Sequence, residues 1–250
     1  MLIETENTLK VVTNLRRYTD KPIVFKDMKE LGKTYLGAIF NEEDSIEVYL
    51  RNDLTDGLKE AVFVHEILHA VLNYEGFPKI SINRFFTQKN FTKPLIKATS
   101  NITRNTFQST IQHPEIFRRM ELEYSLDISS YYQEQYRGKI RRFERYRNIN
   151  TSPSDQKYFD AQQDILDGLN YYFWQDYGKN LLEQFKIRKP DAYASCQSLF
   201  KKISKTGFKT PEQCYQSANE IKKHLIVYGE RKSLKKEYNN YWIALEINLP

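Results

Sequence analysis

Two histidines and a glutamate stand in the most apolar part of the chain, in the stretch "VFVHEILHAVLNYEG" from Val62 to Gly76. Titratable side chains are costly to bury unless they are paired, hydrogen-bonded or bound to a metal. On an α-helix, residues four apart are separated by about 40° around the axis and roughly 6 Å along it. His65 and His69 would therefore project side by side and could hold one ion through their imidazole nitrogens. Glu66 lies about 60° from His69, on the neighbouring face. From there it could reach a water beside the ion without ligating the ion. Two imidazole ligands and one carboxylate base, spaced HExxH, are the parts needed to attack a carbonyl with metal-activated water. Only four histidines occur in the 250 residues. Chance would place this pattern in fewer than about one in a hundred chains of such composition. The flanking Val62, Phe63, Val64, Ile67, Leu68, Ala70, Val71 and Leu72 would bury the helix nearly all round. Two imidazoles and a carboxylate in that setting read as a zinc site.

The motif "HEILH" resembles that of the zincin metallopeptidases, and most closely that of short bacterial and phage members of the ImmA/IrrE type. Those also carry a strand-rich segment before a buried "HExxHAxL" helix, with helices after it. The likeness covers about residues 30 to 76. It implies a zincin-like core and a zinc-dependent endopeptidase, acting in some members on a transcriptional regulator. It further implies that His65 and His69 ligate zinc and that Glu66 is the general base.

A catalytic zinc site usually has three protein ligands and one open position. The metzincin pattern would put the third at Glu75, but it also needs a glycine where this chain has Leu72. No "NExxSD" or "ExxANxFA" stretch follows His69, so the glutamate patterns of the related groups are absent. His113, in "STIQHPEIFRRMELEY", is the leading candidate. It is expected at the end of one helix, directly before Pro114 as the first residue of the next. Glu75, Glu115, Glu121 and Glu123 remain as alternatives, or as partners that orient a histidine. His224, beside two lysines in "IKKHLIV", reads as part of a solvated face. A donor to a developing oxyanion is commonly Tyr, His or Arg; Tyr124, Tyr131 and Tyr132 follow the expected ligand helix, and among eighteen tyrosines none is singled out.

The elements that must position these groups fall into two textures. Up to about Leu54 the signals favour strands: "PIVF" (Pro22–Phe25), "TYLGAIF" (Thr34–Phe40) and "SIEVYLR" (Ser45–Arg51), with "NEED" as a hairpin turn between the last two. A helix capped by Thr55 or Asp56 should run to about Tyr74, where Gly76 and Pro78 stop it. Beyond Pro94 helices are expected at about 95–112, 115–125, 128–147, 155–176, 190–204 and 211–228, with a last strand in "YWIALEINL". The fold class is therefore α+β, a small N-terminal sheet packed on the HExxH helix and a mostly helical second half. "NINTSPS" (Asn148–Ser154) reads as a linker between a metallopeptidase domain, 1–147, and a helical region, 155–250.

Composition narrows the setting. Hydrophobic residues make up 40% and charged residues 28%, which suits a globular protein. No run approaches the ~18 apolar residues of a membrane span. The opening "MLIETENTLKVV" has two acids and no cationic region leading into an apolar one, so it does not read as a secretory signal. Cys196 and Cys214 form no CxxC pair, and a cytoplasmic, reduced protein is expected. The net charge of +6 favours acidic partners. "YRGKIRRFERYR" (Tyr136–Arg147), with six basic residues and one acid, could meet nucleic acid, but charge runs usually serve as solvated faces. The expected partner is a protein or peptide substrate, a regulatory protein among the candidates. The rival readings are a DNA- or regulator-binding module that keeps zinc as structure, and a metal hydrolase acting on something other than a peptide.

Overall fold

The computed structural model describes residues 4–27, 35–82, 94–135, 153–177, 179–231 and 245–249. The basic stretch 136–147 and most of the expected linker 148–154 lie outside them. The chain divides into two compact units. The first comprises Met1–Glu75 and Glu115–Ile149, the second Gly76–Pro114 and Asn150–Pro250.

The first unit is built around helix α2 (Asp56–Tyr74). Eleven consecutive or near-consecutive side chains from Ala61 to Leu72 are buried, His65 and Glu66 among them. A helix apolar all round must be covered all round. One cover is α1 (Glu6–Leu15), and another is a three-stranded sheet of β1 (Ile23–Asp27), β2 (Gly37–Asn41) and β3 (Ile46–Leu50). The strand order is β1-β3-β2. β2 and β3 form the expected hairpin, antiparallel with Gly37 opposite Leu50 and Asn41 opposite Ile46. β1 runs parallel to β3, with Ile23 opposite Ile46. Phe25 of β1 stacks on Phe63 of α2, ring centroids 5.6 Å apart. The helix ends where expected, with Glu75 as its last cap and Gly76 at φ 87°, a left-handed turn that glycine adopts without strain.

The N-terminal segment departs from the strand texture expected of it. Its threonines and valines are β-branched, yet it is helical, because Thr5 and Thr8 form a reciprocal capping box at its start. Thr8, Val11 and Leu15 then share one buried face. Thr5 Oγ1 also donates to Glu60 Oε1 of α2 at 2.5 Å, so the same residue starts one helix and ties it to the next.

Helix α3 (Pro94–Leu122) corrects a second expectation. It runs unbroken through Pro114, where the sequence suggested one helix ending and another beginning. Proline inside a helix removes one N–H and costs about 3 kcal/mol. Tertiary contacts on both sides of Pro114 outweigh that. In the second unit Phe107 and Ile111 are fully buried, Asn170 Nδ2 donates to Thr110 Oγ1 at 3.1 Å, and the Cys214 thiol donates to the Ile111 carbonyl at 3.3 Å. In the first, Ile116, Phe117 and Met120 are buried. Residues 128–135 are helical as well, and Arg51 at the end of β3 pairs with Glu134 at 2.6 Å.

The second unit holds α4 (Pro153–Phe173), α5 (Lys179–Arg188), α6 (Pro190–Thr206) and α7 (Pro211–Arg231), which pack on one another. It also holds a two-stranded antiparallel sheet of β4 (Lys79–Ile82) and β5 (Leu245–Asn248). β5 falls inside the expected "YWIALEINL" strand. β4 and α5 had no expectation; a four-residue strand whose partner lies at the far end of the chain leaves no hairpin signal. Both cysteines are buried thiols in this unit. Among the described residues, no helix is long and apolar enough to cross a membrane.

The capping box yields a stability prediction. Thr5→Ala removes the cap of α1 and its bond to Glu60, and should lower unfolding free energy by about 1–2 kcal/mol in urea titrations. Thr5→Ser should recover most of it. An unchanged denaturation midpoint for Thr5→Ala would show that α1 is held by its apolar face alone.

Candidate metal centre

The HExxH helix does locally what its spacing suggests. His65 Nε2 and His69 Nε2 lie 3.2 Å apart, with the rings edge to face at 82°. His65 is buried and His69 partly so. The His65 ring is gripped on its other sides within the first unit. Tyr131 stacks on it at 5.0 Å and 27°, and Phe117 lies at 5.5 Å.

Phe117 places α3. His113 precedes it by four residues on the same continuous helix, so the two share a face. The nitrogen donors of His65, His69 and His113 all lie within 4.8 Å of one another. No other group of three or more metal-capable side chains occurs among the described residues. In the second unit His113 stacks on Trp174, the residue after α4, centroids 6.1 Å apart and planes at 25°. Donor atoms around a tetrahedral zinc with bonds of about 2.05 Å stand roughly 3.4 Å apart. The His65–His69 pair, within the first unit, already meets that spacing. Three neutral imidazole donors are also the chemistry that suits zinc and other late first-row ions.

Glu66 stands outside this donor set. It is buried, 8% exposed, and loss of water pushes its carboxyl up to about 8. Strand β2 passes directly over it: a Cβ at Gly37 would come within 2.6 Å of Val62 Cγ1 and 3.0 Å of Glu66 Cγ. Only glycine permits that approach. Tyr131 is fully buried, and burial together with the nearby Glu66 charge raises its hydroxyl well above the ordinary tyrosine value. It therefore stays a phenol at neutral pH. Gln135 Nε2 donates to its oxygen at 3.1 Å, which leaves the phenolic hydrogen to be given elsewhere. Of the three tyrosines that the sequence could not rank, Tyr131 stacks on His65. Phe117 and Trp174 carried no sequence signal, being two aromatics in a chain with many.

The glutamates weighed as alternative ligands are engaged differently. Glu75 accepts from Arg119 Nη1 at 2.9 Å and Nη2 at 2.6 Å. Glu115, 2% exposed, accepts from Arg119 Nε and from Arg118 Nε and Nη2, each at 2.7 Å. Glu123 pairs with Arg118 at 3.0 Å, and Glu121 is exposed. Burial opposes the Arg119 charge, but the bonds to Glu75 and Glu115 hold its guanidinium above the usual arginine value.

No protein-family model, curated protein or solved structure matches this chain.

His224 lies outside the histidine cluster, and its surroundings differ from the solvated face expected of it. It is half-buried on α7, with Nε2 at 2.7 Å from Ser195 Oγ of α6. Burial lowers its pKa below 6.5, and the charges of Arg231 and Lys202 lower it further. The unfolded chain therefore binds a proton here more readily than the folded one. The stability that this neutral imidazole brings is present above about 6.5 and is lost as the pH falls through the depressed value. His224→Gln should accordingly flatten the loss of stability on acidification below pH ~6.5, read from denaturant midpoints at several pH values. An acid limb as steep in the variant as in the parent would place the titrating group elsewhere.

Proposed function

We propose that the protein is a zinc-dependent metallopeptidase of the HExxH type with a zincin-like core, hydrolysing peptide bonds of a protein substrate. The observation that carries this reading is the convergence of three imidazoles beside a buried carboxylate that is not one of them. Zinc held by His65, His69 and His113 would supply Lewis acidity at its open position, acidifying water and polarising a carbonyl oxygen. Glu66 is the base that takes the proton of the attacking water and returns it to the departing amine. Tyr131 fixes the His65 ring by stacking and keeps a phenolic donor in the same dry pocket.

The peptide substrate class is supported by β2. Among the described residues it has β3 on one side only in the order β1-β3-β2, and it passes over Glu66 at Gly37. An extended peptide adding to such an edge would be held by main-chain hydrogen bonds and laid across the base. The rival reading, a binding module with structural zinc, calls for a fourth protein ligand and gives Glu66 no task. Among the described residues the histidine cluster offers three donors. The cytoplasmic setting and a regulatory protein as substrate belong to the same proposal.

The purified protein should carry about one zinc per chain by elemental analysis, and His65→Ala or His69→Ala should lose it. His113→Ala should bind zinc much more weakly while keeping its helical circular dichroism. Glu66→Gln should fold and retain zinc, yet cleave a peptide library about 10²–10⁴-fold more slowly than the parent. Cleavage by Glu66→Gln at the parental rate, or a parent that takes up no zinc, would refute the reading.

A further inference from the structure

We propose that Arg119 is a positioning residue of the metal centre. By clasping Glu75 at the end of α2 and Glu115 on α3, it ties the α3 turn that directly follows His113 to the end of the HExxH helix. This rests on the metal-centre reading above and assigns a role to a charge cluster that the hydrolytic mechanism leaves unused.

The cluster sits where two helices must be indexed to one another. Glu75 caps α2 six residues beyond His69. The two terminal nitrogens of Arg119 donate to its two carboxylate oxygens, a bidentate pair, while the remaining Nε donates to Glu115. One planar guanidinium thus spans both helices and uses its whole fork. Apolar packing between helices resists separation but tolerates sliding. A bidentate ion pair at partly buried side chains, 12% and 20% exposed, fixes orientation and height as well.

Pro114 explains the need. It lies between His113 and Glu115, and it lacks the N–H that would bond to the Thr110 carbonyl. That is the place where α3 can bend. His113, one residue before it, would swing with any bend. Glu115, one residue after it, is almost wholly buried and yet charged, which is tolerable only because Arg118 and Arg119 both bind it. The first turn beyond the proline is thereby tied to α2 through Arg119 and Glu75. Phe117, in the same turn, packs on the His65 ring. Ligand sets tolerate displacements of only about 0.5 Å, so a ligand one residue from a helix proline calls for such a tie.

The test is metal binding, read by competition with a chromophoric chelator for Zn²⁺ and by the visible absorption of Co²⁺, whose band intensity reports coordination number. The variants are Arg119→Met, Arg119→Lys and Glu75→Gln; the last breaks the link to α2 while leaving Glu115 paired. Arg119→Met and Glu75→Gln should each weaken binding at least tenfold and dim the Co²⁺ bands, and Arg119→Lys should restore only part, since an ammonium cannot make the fork. In a His113→Ala background, Glu75→Gln should cause no further loss, because the ligand it positions is gone. Parental affinity and spectrum in Glu75→Gln, or a loss that adds fully to that of His113→Ala, overturns the positioning role and leaves the metal centre standing. A parent that binds neither ion overturns the metal centre itself. Should Arg119→Met fail to fold by circular dichroism, Glu75→Gln decides.

Discussion

The structure of the first unit hangs on one constraint: α2 is buried on every side and still carries charge-capable groups. An ordinary core helix is satisfied by apolar neighbours. This one must also answer to two imidazoles and a carboxylate, none of which tolerates a dry environment alone. The surrounding elements are arranged to that end. Tyr131 and Phe117 pack on the His65 ring, and glycine in β2 leaves room above Glu66. Main chain and aromatic rings close around the helix, and the Nε2 atoms of His65 and His69 lie 3.2 Å apart.

The same constraint accounts for the oddities of α3. A helix carrying a proline in its middle, followed by a buried glutamate and two arginines, would be a poor choice for packing alone. Each feature falls on the part of the helix next to His113. The proline loosens the helix there, the buried contacts of Thr110 and Ile111 hold the part before it, and the glutamate–arginine cluster holds the part after it. Buried charge is a weak source of stability but a strong source of register.

What was legible in the sequence was whatever is local. The bounds of α2, the β2–β3 hairpin and the strand at the C-terminal end follow from periodicity, turn residues and helix stops within a few residues of themselves. HExxH is legible for the same reason, since one helical turn sets its geometry. What failed was decided at a distance. Val11 and Val12 favour strand locally, but a capping box and a contact with Glu60 make the segment a helix. Pro114 marks a break locally, and contacts with residues far along the chain carry the helix through it. β4 has no nearby partner to announce it. His113 was singled out by counting histidines and by the absence of a glutamate pattern, not by any local geometry. The junction expected there does not exist, and an unbroken helix carries the residue instead.

The first unit is assembled from two stretches of chain that the second unit interrupts. That order has a consequence during synthesis. Residues 1–75 leave the ribosome with the HExxH helix complete and with none of the α3 side chains that cover it. At about 5–20 residues per second, several seconds pass before Glu115, Phe117 and Arg119 emerge. Over that interval an unusually apolar helix has only α1 and a three-stranded sheet to shield it. The nascent chain is then at its most vulnerable to aggregation, and chaperones or early metal capture by the His65–His69 pair would have most to offer. Closing so distant a contact also raises the contact order of an otherwise helical protein, so its folding should be slower than its helix content suggests.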